Sequence, residues 1–246
     1  MISEATYKLL LASKLKGVGR QTLRKLSKTR LFFELEPKQW ADDFPELRSC
    51  TPESISYQLA VASVEKDMAA SQTAGGKILS WWDPGYPQLL RDVPDNPVLL
   101  YVLGDVHHFS KKAIAVVGTR KPTEHGRKIA SRVTSHFASR GWQIVSGLAI
   151  GVDTVAHETA LEVGSSTIAV LAHGLDSLYP KQNRRLADRI VDKGGLLISE
   201  YAYGVSGFPG NFVERDRIQA ALACGVIMVQ SDETGGSWHA SRAALR

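Results

Sequence analysis

The sequence has few cysteines and no long apolar run, and both absences narrow what the chain can be. Cys50 and Cys224 stand far apart and neither belongs to a CxxC pair, so the sequence signals neither a zinc knuckle nor a redox motif. No apolar run approaches the roughly 18 residues of a membrane span, and no charged leader with an apolar stretch opens the chain. We therefore expect a cytoplasmic protein that makes no contact with a membrane.

The patterns of common metal and cofactor sites are also missing. The seven histidines form neither an HExxH motif nor a cluster with cysteine, so we expect no metal. The dinucleotide fingerprint GxGxxG, with an acid about twenty residues further on, is absent as well. We therefore expect no cofactor.

Composition and charge describe a globular chain with two basic regions. Of the 246 residues, 43% are hydrophobic and 22% charged, which excludes collagen-like, wholly disordered and disulfide-scaffold proteins. The formal net charge of +5 is unevenly spread: residues 1–30 carry a net +7, residues 31–105 a net −7 and residues 106–246 a net +5. Two basic regions favour a polyanionic partner without identifying it.

Hydrophobic periodicity divides the chain into three parts. Residues 1–80 show apolar residues at three-to-four-residue spacing, which predicts a small all-α domain of helix-hairpin-helix or SAM-like type. Residues 81–105 hold four of the ten prolines and predict an extended connector. Residues 106–246 alternate short apolar runs with amphipathic stretches, which predicts an α/β fold with an extended Rossmann-like parallel sheet.

The carboxyl ends of parallel strands share one edge of a sheet, where ligands bind. Strands are predicted at residues 113–117, 142–145, 167–171, 195–199 and 226–230, and helices at about 125–140, 153–163, 182–193, 212–223 and 237–246. After the first strand, Gly118 suits a close backbone approach, Thr119 a hydrogen bond and Arg120 bidentate phosphate binding. The alternative is a turn glycine with a solvated arginine.

The loop after the second strand begins with Ser146 and Gly147 and leads into a helix that Asp153 can cap. Free amides at that helix start could receive a phosphate. Ser146, Asp153 and His157 could instead form a hydrolase triad, but the G-x-S-x-G elbow is missing, which disfavours that alternative.

The three remaining candidate segments are rich in cations, glycine or both. Tyr179 beside Lys181, Asn183 and Arg184 could stack a base and neutralise its backbone, unless Tyr179 fills the core and Arg184 is a solvated helix residue. Further along the chain, Arg215 and Arg217 are candidates, unless they simply form ion pairs with Glu214 and Asp216. The glycine loop Gly235, Gly236 and Ser237 is another candidate. Near the start, a turn with Lys16, Gly17, Gly19 and Arg20 could touch a DNA phosphate or be a purely structural hairpin.

Glycine-ended strands with cations, but without a nucleophile, base or metal pattern, favour anion binding over catalysis, so we expect a protein that is not an enzyme. In this order and spacing, the chain resembles the DprA/Smf family of DNA-processing proteins. The resemblance rests on the hairpin-like start and on DPGYP at 83–87, VGTR at 117–120, SGLA at 146–149, GVD at 151–153, GLD at 174–176, ISEY at 198–201 and GGS at 235–237.

The resemblance implies a cytoplasmic homodimer that binds and protects single-stranded DNA and loads a RecA-type recombinase during transformation or related DNA uptake. It implies a basic pocket formed by Arg120, Ser146, Gly147, Lys181, Arg215, Arg217, Gly235, Gly236 and Ser237. The family's usual Arg-Asn-Arg string is represented here by Arg215-Asp216-Arg217, whose extra acid weakens the local field. The family also usually continues past the position of Arg246, so we expect the C-terminal end of the α/β domain to be incomplete.

Two other function classes stay open. One is a nucleotide-hydrolysing enzyme of the phosphoribohydrolase type, whose P-G-G-x-G-T loop is followed by a helix glutamate. Residues 234–239 here are followed by no acid, which disfavours that enzyme. The other is a nucleotide-binding sensor, in which the same loops would hold a small anion.

Overall fold

The computed structural model describes residues 2–48 and 51–231, together with Ala240 and Arg242. The candidate loop Gly235, Gly236 and Ser237 and most of the predicted helix 237–246 therefore lie outside the described residues. In the part that is described, a seven-stranded sheet is surrounded by helices, which confirms the predicted α/β fold. No helix of this part is long and apolar enough to cross a membrane.

The N-terminal part is helical, as the apolar spacing predicts. Its helices are α1 Glu4–Lys14, α2 Arg20–Ser27, α3 Arg30–Glu34, α4 Trp40–Asp43 and α5 Ile55–Thr73, with 3₁₀ turns at Pro37–Gln39 and Pro45–Leu47. Helix α1 begins after Ser3, whose hydroxyl accepts a hydrogen bond from the Thr6 amide at 3.2 Å. An exposed turn joins α1 to α2, and Gly17 adopts a φ of +88° there, so the predicted helical hairpin forms.

Six of the seven strands of the sheet run in one direction, and the second strand along the chain runs opposite to them. The strands are β1 Lys77–Ser80, β2 Leu99–Gly104, β3 Ala113–Val117, β4 Gln143–Ser146, β5 Thr167–Leu171, β6 Leu196–Ser199 and β7 Val226–Met228. Their order across the sheet is β1-β2-β6-β5-β4-β3-β7. Strand β2 pairs antiparallel with both β1 and β6, and every other pair is parallel.

The remaining helices cover the sheet. They are α6 Gln88–Arg91, α7 Glu124–Ala138, α8 Val152–Glu162, α9 Arg184–Asp192 and α10 Pro209–Ala221, with 3₁₀ helices at Val106–Ser110 and Lys181–Asn183. Every residue of β3 and β5 is buried. Such fully buried strands are typical of a parallel sheet with helices on both faces.

The region predicted to be a connector contributes to the sheet. Strand β2 lies within residues 81–105, and β1 lies at the end of the predicted helical domain. Ile78 and Tyr101 on these strands pack in one apolar cluster with Phe32 and Trp40 from the helical part. Residues 99–104 of the predicted connector are thus extended, and they form a strand of the sheet because burial of an apolar run favours pairing there. The division into domains otherwise stays a prediction.

Candidate nucleic-acid interface

A cleft of about 1020 Å³ lies at the carboxyl ends of the parallel strands, where the sequence predicts ligand binding. Its walls come from the loop after β3, the loop that leads into α8, the loop after β5 and the first turns of α10. The lining residues used below are Gly118, Thr119, Arg120, Lys121, Ala149, Asp153, Tyr179, Phe212, Arg215, Asp216 and Gln219.

A cation and two aromatic rings meet at the mouth of this cleft. The guanidinium of Arg120 lies over the ring of Phe212, 5.5 Å from its centroid. The ring of Tyr179 contacts the same Phe212 edge to face, with 5.7 Å between centroids, and 54% of Tyr179 is exposed. Tyr179 is therefore no core residue. An exposed ring beside a guanidinium can stack a nucleobase and attract its phosphate.

Phe212 is absent from the sequence-based candidates. It lies in the first turns of α10, one helical turn after the exposed Phe208 and just before two arginines. Two aromatic residues four positions apart and close to arginines form a pattern visible in the sequence, and this pattern could have identified Phe212 as a candidate.

Three further cations, in the cleft wall or in the segment after Tyr179, make no ion pair with any carboxylate of the described residues. Lys121 lines the cleft directly after Arg120. Lys181 follows Tyr179-Pro180 in a 3₁₀ helix, and Arg184 begins α9. All three side chains are exposed, so they are available to phosphate groups, and their role as phosphate contacts stays a prediction.

The loop after β4 does not offer the free amides that the sequence suggests. The amides of Gly147 and Ala149 donate hydrogen bonds to Asp153 Oδ2, at 3.1 and 3.3 Å. Asp153 was expected to cap α8, but Gly151 is the capping residue, with a φ of +91°. Burial raises the pKa of Asp153, while Arg215 and the loop amides oppose that shift. An internal carboxylate thus occupies the amides of Gly147 and Ala149, while a phosphate contact at the first amides of α8 stays a prediction.

Asn183 supports this loop instead of facing a ligand. It is buried, and its Nδ2 donates to the carbonyl of Leu148 at 2.9 Å and to Thr154 Oγ1 at 2.9 Å. Leu148 has a φ of +58°, a conformation that costs energy for any residue other than glycine. The Asn183 hydrogen bond holds that conformation, so the prediction of Asn183 as a DNA contact is wrong for its side chain.

Ser146 joins two strands of the sheet, and His157 joins helix α8 to strand β5. The Ser146 hydroxyl is fully buried and donates to the carbonyl of Val116 at 2.7 Å. Nδ1 of His157 lies 2.9 Å from Thr167 Oγ1, and burial lowers the His157 pKa to about 3. Both residues are engaged with other groups, so they do not form the Ser–His pair of a hydrolase. The buried Ser146 side chain also contradicts its prediction as a DNA contact.

The missing side chain of Gly118, directly after β3, allows the start of α8 to pack closely against this loop. It does not serve the approach of a ligand backbone. A Cβ on Gly118 would lie 2.6 Å from Val152 Cγ2 and 2.9 Å from the Gln230 carbonyl. The Thr119 amide donates to that same carbonyl at 2.7 Å, and the Thr119 hydroxyl accepts from the Lys121 amide at 3.2 Å. These contacts aim Arg120 and Lys121 at the cleft.

Arg215 is a structural residue. It is 4% exposed, and its Nη1 donates to the Gly147 carbonyl at 2.7 Å and to the carbonyl of Val170. Its Nε pairs with Asp216 Oδ1 at 3.2 Å. A guanidinium with these buried partners cannot reach a phosphate, which corrects the prediction of Arg215 as a DNA contact.

Arg217 and Arg20 belong to an ion-pair network that joins the helical part to the α/β part. Arg217 pairs with Glu200 at 2.5 Å, and Arg20 pairs with the same Glu200 at 3.3 Å. The full network contains Arg20, Arg24, Arg217, Asp95, Glu200 and Glu214. The predicted DNA contact through Arg217 is therefore wrong, and the anticipated pairing with acids is confirmed. Lys16, Gly17 and Gly19 remain exposed in the hairpin turn, where a DNA contact stays a prediction.

Two hydrogen-bond acceptors on α10 also line the cleft, and we call Asp216 and Gln219 the acceptor pair. Gln219 is 1% exposed, its Nε2 donates to Asp216 Oδ1 at 3.0 Å, and its Oε1 has no partner among the described residues. Burial raises the Asp216 pKa to about 6 against the attraction of Arg215. No group of three metal-ligating side chains occurs among the residues described.

Comparison with known proteins places this geometry in context. A family model described as DNA recombination-mediator protein A matches residues 77–246. Protein Smf of Synechocystis is 35% identical over 245 residues, which cover 96% of this chain and 60% of that protein. The chain thus spans about three fifths of the length of this relative.

Two solved structures are also similar. DNA processing protein A from Streptococcus pneumoniae aligns with a TM-score of 0.77 and 31% identity, over 99% of this chain and 84% of that one. DNA processing protein A from Helicobacter pylori, studied for its unique single-stranded DNA binding mode, aligns with a TM-score of 0.63 and 32% identity. That alignment covers 69% of this chain and 75% of the other.

Proposed function

This chain belongs to the family of DNA recombination-mediator protein A, and from that premise we propose that it binds single-stranded DNA in the cleft at the carboxyl ends of its parallel strands. One observation carries the proposal: the Arg120 guanidinium lies over Phe212 beside the exposed ring of Tyr179. Stacking on aromatic rings together with neutralisation of phosphates is how proteins bind single strands of many sequences. The similar Helicobacter pylori protein, with its single-stranded DNA binding mode, supports the same reading.

In this proposal the protein binds DNA without reacting with it. Arg120, Lys121, Lys181 and Arg184 supply the positive charge for the backbone, and Tyr179 with Phe212 supplies the stacking surface. The charges attract any strand, because every nucleotide carries the same phosphate. The engaged positions of Ser146 and His157 support a binding role over hydrolysis at this loop.

The wider role is proposed from family membership. Bound in this way, the strand is protected and handed to a RecA-type recombinase, and the working unit is a homodimer in the cytoplasm. The loop Gly235, Gly236 and Ser237 lies outside the described residues, and its contact with DNA stays a prediction from the resemblance.

A titration of labelled oligothymidylate against unlabelled mononucleotides at two salt concentrations tests the proposal. We expect tight binding of the oligonucleotide, steep weakening with salt and weak competition by mononucleotides, because several phosphates release counterions together. Mononucleotides that compete as well as the oligonucleotide, with little effect of salt, would instead favour a nucleotide sensor or a nucleotide-hydrolysing enzyme.

A further inference from the structure

The cleft combines exposed cations with acceptors that are partly or fully buried. Arg120 and Lys121 are exposed, whereas Gln219 of the acceptor pair is buried and the Asp216 side chain is 15% exposed. A buried carboxylate repels a phosphate, so the backbone of a bound strand is held at the mouth. The neutral part of a nucleotide, its base, is what can enter further.

The surroundings of Asp216 leave it as an acceptor. From its own helix Arg215 pairs with Oδ1, and Gln219 donates to the same oxygen. Asp153 approaches from α8 and Arg120 from the loop after β3, and their charges act on Asp216 in opposite directions. Among the described residues, Arg215 and Gln219 thus both contact this carboxylate at Oδ1.

Gln219 adds an independent second acceptor. Its amide nitrogen is committed to Asp216, which fixes the orientation of the amide group and leaves Oε1 as the free end. This oxygen has no hydrogen-bond partner among the described residues, although Gln219 is 1% exposed and lines the cleft. A buried acceptor without a donor is costly, and a ligand that brings an N–H group removes that cost.

Nucleobases differ in what they offer to two acceptors. Cytosine, adenine and guanine each carry an exocyclic amino group that donates hydrogen bonds, and a carboxylate is a known partner for the cytosine amino group. Thymine presents a carbonyl oxygen where cytosine presents its amino group. Facing the acceptor pair, that carbonyl oxygen is itself an acceptor, so it supplies no hydrogen bond and leaves the pair unsatisfied at this contact.

We propose that the acceptor pair makes this cleft prefer a base with an exocyclic amino group over thymine. The inference rests on the proposed binding of single-stranded DNA and adds a base preference to it. An asparagine at residue 216 would carry a donor as well as an acceptor on its side-chain amide, whereas the ionised Asp216 only accepts. The preference is therefore expected to follow the carboxylate of this chain.

Oligodeoxycytidylate and oligothymidylate of equal length test the proposal, since both are pyrimidine strands with the same number of phosphates. For the unaltered protein at about pH 8, we expect the cytidylate to bind about tenfold more tightly, the effect of one good base contact. At about pH 5, below the Asp216 pKa of about 6, the ratio is expected to shrink because the carboxyl group is then protonated.

Two variants locate the effect, and a third is the control. Asp216→Asn and Gln219→Met are each expected to bring the ratio close to one while oligothymidylate still binds. Asp192→Asn, which makes the same charge change at an exposed site on α9, should keep the ratio. An equal affinity of the unaltered protein for both strands, or a preference that survives in both variants, would overturn the inference. Failure of the unaltered protein to bind either strand would overturn the proposed function itself.

Discussion

The guanidinium of Arg215 occupies the space beside Gly147 that a side chain would need. Its Nη1 donates to the Gly147 carbonyl at 2.7 Å, and a Cβ on this glycine would overlap the guanidinium. The loop after β4 is thereby fixed to α10, the helix that also presents Phe212. The Phe212 ring and the buried Arg215 side chain are held by the same helix, so the mouth of the cleft depends on a contact that no ligand touches.

Gly147→Ala should therefore destabilise the protein. We expect the free energy of unfolding to fall by about 1–3 kcal/mol, because the added methyl group displaces a guanidinium with buried partners. Gly210→Ala on α10 is the matched control, since nothing lies near its Cβ position, and it should leave stability nearly unchanged. Urea denaturation measures both. Equal stability of the two variants would show that the loop tolerates a side chain at residue 147.

Arg217→Met should weaken the fold and not the contact with DNA. Glu200 pairs with Arg217 at 2.5 Å, and the Glu200 side chain is 7% exposed, so removal of the arginine leaves a poorly solvated carboxylate. We expect a loss of about 2 kcal/mol in the free energy of unfolding. Arg30→Ala, which breaks an exposed pair with Glu34, should cost under about 1 kcal/mol. Unchanged stability with a lower salt dependence of DNA binding would restore Arg217 as a phosphate contact.

Asp216→Asn should stabilise the protein most at neutral pH. Burial raises the folded-state pKa of Asp216 to about 6 from 3.8, so the folded protein binds more protons than the unfolded chain between these values. Stability from this group therefore falls as pH rises through that window. At 1.36 kcal/mol for each unit, the variant should gain up to about 3 kcal/mol at pH 7 and little at pH 4. Urea denaturation between pH 4 and pH 7 measures the free energy of unfolding of both proteins. A difference between the two free energies that does not change with pH would contradict this assignment.

Tyr179→Ala should reduce affinity for single-stranded DNA without changing its salt dependence. Loss of one stacking ring costs about 1–3 kcal/mol of binding free energy, whereas the number of neutralised phosphates stays the same. Tyr179→Phe keeps the ring and should bind nearly as the unaltered protein does. Fluorescence anisotropy over a range of salt concentrations separates the two effects. A loss of affinity in Tyr179→Phe as large as in Tyr179→Ala would point to the hydroxyl group.

Much of the α/β fold follows from the pattern of apolar residues. The predicted strands at 113–117 and 167–171 have the observed bounds, because fully buried parallel strands are unbroken apolar runs. Helix α10 begins at Pro209, earlier than predicted, since proline is favoured at the first position of a helix. Strands β1 and β2 escaped prediction because nearby prolines and glycines obscure two short runs whose burial comes from the helical part.

The candidate site was only partly predictable, and burial is the reason. The loop positions of Arg120 and Tyr179 follow from the strand ends, and both are exposed at the mouth. Polar residues such as Asn183 and Arg215 carry the same chemistry in sequence, yet their partners are backbone carbonyls of a loop far away along the chain. A single sequence does not show such partners, so structural polar residues and ligand contacts look alike there.

The salt dependence of oligothymidylate binding by Arg120→Ala tests the central claim most directly. Arg120 stacks on Phe212 at the mouth, where the account places a phosphate contact. We expect weaker binding to every sequence and a slope of log affinity against log salt that is smaller in magnitude by about one, the value for one lost phosphate contact. Arg30→Ala, an exposed arginine in the helical part, should leave affinity and slope unchanged. Equal affinity and equal slope for Arg120→Ala and the unaltered protein would contradict DNA binding in this cleft.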